Sequence, residues 1–219
     1  MSNVAYDLPE LPLAAWQQTK TTLHLYTQII GKIRMALNAR QNHWWHVTLC
    51  VSARGLTTRP MPAGDQLLEI EFDFIDHNLV LRSSTGQSEA FSLHDGLSVA
   101  QFYAATMAGL EKLGVDVSIL ARPYDPERVG SDLAFAQDTE HGTYQSEYIE
   151  RYWRILSFIN TAYGEFAGRF TGKSSPVHLF WHSFDVAYTR FSGREAPMGG
   201  GSAVDQEAYS HEALSLIHI

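Results

Sequence analysis

Apolar residues recur at helical spacing in three stretches of this chain. From Pro12 to about Leu37 the set Trp16, Leu23, Tyr26, Ile30, Ile33 and Leu37 lies on one face, and Pro12 suits a first helical turn. From about Tyr144 to Phe170, Ile149, Tyr152, Leu156, Ile159, Tyr163, Phe166 and Phe170 step by three and four throughout, the mark of a core face. A third helix is expected from about Val99 to Leu113. Ser98 and Gln101 form a capping-box pattern at its start, and Gly114 supplies its stop.

The intervals read as strands. His46–Ala53 is a short β-branched run. Leu68, Ile70, Phe72 and Phe74 alternate with Glu69, Glu71 and Asp73, the period of a strand with one buried and one wet face. A turn at Asp76-His77-Asn78 leads into Leu79–Ser83, and Ser84-Thr85-Gly86 turns again into Glu89–Leu93, an antiparallel meander. Val115–Leu120 is one more candidate strand. Residues 122–143 form a polar, Pro- and Gly-punctuated connection without a period, a length that points to function or disorder. Met198-Gly-Gly-Gly-Ser202 reads as a flexible joint. This order predicts an α+β fold, an antiparallel or mixed sheet packed against three long helices, rather than βαβ alternation.

Composition narrows the possible partners. The formal net charge is -8, with Lys and Arg dispersed along the chain, so a phosphate backbone would be repelled and nucleic acid is not expected. No stretch reaches transmembrane length without charge, and the N-terminus lacks the basic and apolar regions of a signal peptide. The expected location is the cytoplasm, without a membrane partner. Cys50 is the only cysteine and sits in an apolar run, which reads as a buried, inert thiol.

Chemically capable side chains concentrate between Pro176 and Glu212. On a helix, His178, His182 and Asp185 would share a face as a two-histidine, one-carboxylate metal set. The aromatic and β-branched content after Val177, with alternation through Arg190, favours a strand instead. Two histidines four apart on a strand are separated by about 13 Å, so they cannot share one metal ion; no metal ligands are assigned, and a metal held by His178 or His182 with His211 and Glu212 is the least favoured reading. His182 and His211 are then the acid–base candidates, with Glu212 beside the second. Arg190 and Arg194 are candidates for clamping an anion, against the alternative that they cap carboxylates structurally. In Asn42-His-Trp-Trp-His46, two adjacent tryptophans on a strand cannot both face the core, which makes Trp45 a candidate groove residue beside Trp181. Arg54 is a further candidate for a polar pocket, with an exposed solubility charge equally open. Asp138-Thr-Glu-His141 reads as a solvated loop capping the next helix, or as a pocket rim. No phosphate-binding glycine loop, nucleophile elbow, H-E-x-x-H or Cys-x-x-Cys motif is present, and no cofactor is assigned.

Leu13-x-x-Trp16, Asn42-His-Trp-Trp-His46, Ser52-Ala-Arg-Gly55, Asp138-Thr-Glu-His141, His178-x-Phe-Trp181, Thr189-Arg-Phe-Ser-Gly-Arg194 and Tyr209-Ser-His-Glu212 together resemble one uncharacterised bacterial family, the domain of unknown function 5996. The resemblance runs from about Leu11 to Glu212 and brings no catalytic assignment. It implies a single cytosolic protein that continues past the Tyr-Ser-His-Glu text. Residues 1–213 are accordingly read as one α+β domain lacking its C-terminal part. Leu214–Ile219 reads as translated sequencing-adapter text, the alternative being a short apolar strand. The expected function is that of an enzyme or small-molecule binder, its ligand an anion held in a His, Arg and aromatic pocket. The alternative is a non-catalytic structural or interaction module.

Overall fold

The computed structural model describes residues 7–195 and the backbone of a strand at residues 211–218. It is an α+β fold with three long helices, as the apolar periods predict. Helix α1 (Leu13–Leu37) begins after Pro12, whose carbonyl accepts the Ala15 N–H at 2.9 Å. Residues 22–33 of α1 are all buried, so the helix is surrounded by protein on every side through three turns. Helix α2 (Val99–Lys112) starts with the expected capping box: Ser98 Oγ accepts from Gln101 N–H, and Gln101 Oε1 accepts from Ser98 N–H. Gly114, at φ 69°, ends it in the left-handed region.

Six short strands form one antiparallel sheet: β1 (Cys50–Val51), β2 (Gly55–Thr57), β3 (Met61–Ala63), β4 (Gln66–Asp73), β5 (Asn78–Ser83) and β6 (Ser88–Ser92). Its order is β1-β2-β4-β5-β6, with β3 paired beside β2 along the same edge of β4. Leu68, Ile70, Phe72, Leu79 and Leu81 turn one face into the core. There Phe102 of α2 stacks between Tyr26, at 3.9 Å, and Phe72, at 6.0 Å between ring centroids. On the opposite face Glu69 and Glu71 accept hydrogen bonds from Thr57, Ser52 and Arg82. The alternation of β4 thus places its charges as the sequence predicts.

Two parts differ from expectation. Residues 46–53 give only the two-residue β1, because residues 42–47 are wound into a 3-10 turn with His43 and Trp44 both at positive φ. Among the described residues, 115–120 have no strand partner, and they run in irregular conformation. The 122–143 connection is ordered by its own polar groups. It contains the one-turn helix α3 (Pro126–Val129), capped by the Asp125 side chain. The buried Asp138 accepts from the N–H groups of Glu140 and His141 and from Ser131 Oγ. Carbonyls of Asp138 and His141 receive the first free N–H groups of α2, so this loop caps the helix before it rather than the one after.

Helix α4 (Ser146–Ala167) packs beside α1 through Trp16 and Tyr152, at 5.1 Å. It also covers a second antiparallel sheet, β7 (His178–Phe180), β8 (Asp185–Glu195) and β9 (His211–His218). Reciprocal backbone hydrogen bonds between Leu49 and Leu179, at 2.9 and 2.8 Å, join this sheet to the first. The expected continuous strand after Val177 is in fact a hairpin. Phe184, at φ 58°, donates its N–H to Phe180 O at 2.7 Å and closes a turn over residues 181–184. A left-handed phenylalanine is unfavourable. Here its ring is fixed between His24 at 4.8 Å and Tyr152 at 5.3 Å, and that packing holds the turn.

Candidate functional site

Lys20, His24, Gln28 and Lys32 follow one another every four residues along α1 and so share a face. The last three are buried, with His24 and Lys32 each only 4% exposed. This polar stripe lies beneath the β7–β8 turn and the segment around Tyr124. The Gln28 side-chain amide clasps the Tyr124 backbone: Tyr124 N–H donates to Oε1 at 2.7 Å, and Nε2 donates to the Tyr124 carbonyl at 3.3 Å. That clasp holds the start of the long loop, with Tyr124 itself 57% exposed.

Trp181 is the hub of the cluster. Its indole N–H donates to Val47 O at 2.8 Å, and its ring packs on Gly31. Around that ring lie Lys32 Nζ at 5.8 Å from the centroid, the His182 ring at 5.7 Å and the Tyr124 ring at 6.4 Å. The Trp181 carbonyl receives a hydrogen bond from His24 Nε2 at 2.9 Å. His24 therefore carries its proton on Nε2, and the nearby Gln28 amide nitrogen, also a donor, directs its hydrogen to Tyr124.

The charges follow from burial. Desolvation lowers the His24 pKa to about 4, against the raising effect of hydrogen bonding with the Trp181 and His182 backbone, which accepts from the ring, and Lys20 and Arg128 add to the lowering. His182 is lowered in the same way by burial, with Asp185 opposing and Arg128 reinforcing. Both imidazoles are therefore neutral at neutral pH. His182 is half-buried among the rings of Phe180, Tyr124 and Trp181, and its nitrogens have no hydrogen-bond partner among the described residues. Burial also lowers the Lys32 pKa. Among the described residues, Lys32 has neither an ion-pair nor a hydrogen-bond partner beyond the face of Trp181. Lys20 and Arg128 likewise have no ion pair among those residues. Lys20 and Arg128 thus lend positive field to His24, and Arg128 to His182, while Lys32 lies farther along the same face of α1 against Trp181, in a chain of net charge -8.

The model of a family of unknown function, DUF5996, matches residues 8–216. The chain belongs to DUF5996. No curated protein matches it, and neither does any solved structure.

The DUF5996 match includes every element of the cluster, and of the eight residues singled out in the sequence it brings two together here, Trp181 and His182. Trp181 is 2% exposed, so its indole is a wall of the cluster rather than an open surface. The others are elsewhere. Arg54 Nε and Nη2 pair with Asp73 and Asp76, each at 2.6 Å, at the far end of β4. Trp45 packs with His43 at 4.9 Å and Phe191 at 6.1 Å. Arg190 lies over the Phe166 ring at 3.4 Å and bonds the Phe166 carbonyl. Arg194 is exposed beside Gly193 in an irregular part of β8. His211 pairs with Glu195, and Phe180 with Asp185, so His211 and His182 belong to opposite ends of an 11-residue strand. At about 3.3 Å per residue those ends are roughly 30 Å apart. The side chains of His211 and Glu212, like the glycine joint and Tyr209, lie outside the described residues.

Among the described residues no three His, Cys, Asp or Glu side chains gather as a metal-binding set. A groove of about 550 Å³ lies between α4, the end of β1 and residues 7–9, lined by Trp153, Ser157, Phe158 and Ser52 among others. None of the eight residues lines it. The sequence did carry a signal for the residues that were missed. His24, Gln28 and Lys32 form a polar stripe at fourfold spacing, but it is hidden by the expectation that polar helix positions face water.

Proposed function

We propose that this protein binds a small anionic molecule at the surface formed by the Trp181-His182 turn, Tyr124 and Arg128, above the buried Lys32. The observation carrying this reading is Lys32, an almost fully buried lysine lacking a carboxylate partner among the described residues. A buried ammonium is costly unless paired, and an incoming anion supplies the pair. Arg128 and Lys20 add positive field, Tyr124 offers an aromatic face, and neutral His182 is placed to accept a proton from a bound molecule. The reading carries with it a cytoplasmic location, in keeping with the single, buried Cys50. No helix of the described residues is long and apolar enough to cross a membrane.

The test is an NMR titration of the protein with inorganic phosphate and, separately, with pyruvate, following the His182 imidazole and Trp181 indole resonances. Both are expected to move, and Arg128→Ala should weaken binding about tenfold, a loss near 1.4 kcal/mol. Arg194→Ala should leave it unchanged. If neither anion shifts His182, the reading fails.

A second reading, a module without a small ligand, is favoured by the structural employment of Arg54, Arg190 and Trp181 within the fold. It predicts silence in both titrations.

A further inference from the structure

We propose that Lys32 is a nucleophilic amine that condenses with a small aldehyde or ketone, forming an imine in the cluster beneath the Trp181-His182 turn. The inference rests on the binding site proposed above and names the chemical class of its ligand: an anion that also bears a carbonyl group.

Four observations support it. Lys32 stands on a buried polar stripe of α1, eight residues from His24 and four from Gln28. Its stem is enclosed, yet Nζ is not among the side-chain atoms that are sealed from solvent without a partner. Nζ therefore keeps some contact with solvent. Next, no carboxylate among the described residues holds it: their ion pairs engage Arg54, His77, Arg82, Lys112, His141 and Arg151, and Lys32 has none. A lysine kept for charge alone is ordinarily buried with its counter-ion. Finally, the indole of Trp181 makes one wall apolar, and burial favours the neutral amine there.

The step is balanced without any further reagent. The Nζ lone pair attacks the carbonyl carbon and the carbonyl π electrons move to oxygen, which takes a proton as nitrogen releases one to solvent. The carbinolamine hydroxyl then takes a proton from solvent and leaves as water while the nitrogen lone pair closes the C=N bond, and the iminium nitrogen returns its remaining proton to solvent to give the imine. One amine and one carbonyl give one imine and one water. In its protonated form Lys32 pairs with an anion such as phosphate, and the neutral form that burial favours is the nucleophile, so bound phosphate holds the amine out of reaction.

The chain has four lysines, Lys20, Lys32, Lys112 and Lys173, so the site of reaction can be mapped on the intact protein. The protein would be incubated with pyruvate and sodium cyanoborohydride, whose hydride traps the imine as a stable secondary amine, and the peptides weighed over time. Lys32 is expected to be labelled first, and added phosphate is expected to slow its labelling. Lys32→Arg keeps the charge and should abolish that label. A Lys32 peptide that stays unlabelled, or reacts no faster than Lys20, overturns the proposal without the need for any variant. The phosphate titration on the same sample separates the two readings. Phosphate binding with no label at Lys32 removes the imine and leaves the anion site. A Lys32 label with no phosphate response removes the anion site and leaves the amine.

Discussion

The indole of Trp181 occupies the space that a Cβ on Gly31 would need. An ideal Cβ there would lie 2.1 Å from Cδ1 and 2.4 Å from Nε1 of the ring. Gly31 is in the buried middle of α1, where glycine is otherwise unfavourable by about 1 kcal/mol relative to alanine. Close approach of the indole is the reason for it.

Gly31→Ala should therefore destabilise the protein despite its better helix propensity. Moving Trp181 also strains its bond to Val47 O and the His24 bond to its carbonyl. Overpacking of a tight core costs about 1–3 kcal/mol, and that term exceeds the propensity gain. Urea unfolding followed by far-ultraviolet circular dichroism would measure it. A variant as stable as the parent would mean that the ring has room to shift.

This contact also shows where the sequence was legible. The apolar period of α1 and α4, the alternation of β4 and the Ser98–Gln101 box each depend on neighbours within one element, and each formed as read. The β7–β8 hairpin depends on packing at long range. Its turn has no glycine, asparagine or proline; Phe184 takes the left-handed conformation because His24, 160 positions earlier, stacks on its ring. Likewise Trp181 and His182 were visible as a pair, whereas their partners Lys32, Gln28 and Tyr124 come together only when α1 is enclosed.

His24 makes stability depend on pH. Its folded pKa, about 4, is below the ordinary 6.5, so the unfolded chain binds the extra proton more readily. The stabilisation is fully present above pH 6.5 and is lost as pH falls from there towards 4. At 1.36 kcal/mol per pH unit the gap amounts to about 3 kcal/mol, and His182, lowered in the same direction, steepens the loss. His24→Gln should flatten the slope of unfolding free energy between pH 4 and 6.5. An unchanged slope would place the responsible proton elsewhere.

Arg54 is expected to act on stability rather than on any ligand. It joins Asp73, whose side chain is 8% exposed, to the more open Asp76. Asp73 also accepts the N–H groups of Ile75 and Asp76, and so fixes the turn between β4 and β5. Arg54→Ala should lower stability only modestly, the guanidinium being exposed and screened. In an Arg54/Asp73 double-mutant cycle the two losses should be less than additive. Phosphate should shift His182 in Arg54→Ala as in the parent.

Arg190 gives the corresponding test at the end of α4. That helix has no basic residue in its last turn, and its final carbonyls lack partners within the helix. Arg190 of β8 supplies the missing cation from outside: Nη2 donates to Phe166 O, while the guanidinium lies 3.4 Å from the Phe166 ring centroid and 4.9 Å from that of Phe170. Cap and stacking both use the planar fork, which lysine lacks. Arg190→Ala should lose about 2 kcal/mol, and Arg190→Lys about half of that, since only the attraction of a charge to the helix end survives. Amide exchange should rise in the last turn of α4 and stay unchanged in its first. If both variants keep the parent's exchange at Phe166 and Ala167 but lose the phosphate response of His182, Arg190 serves the ligand and not the helix.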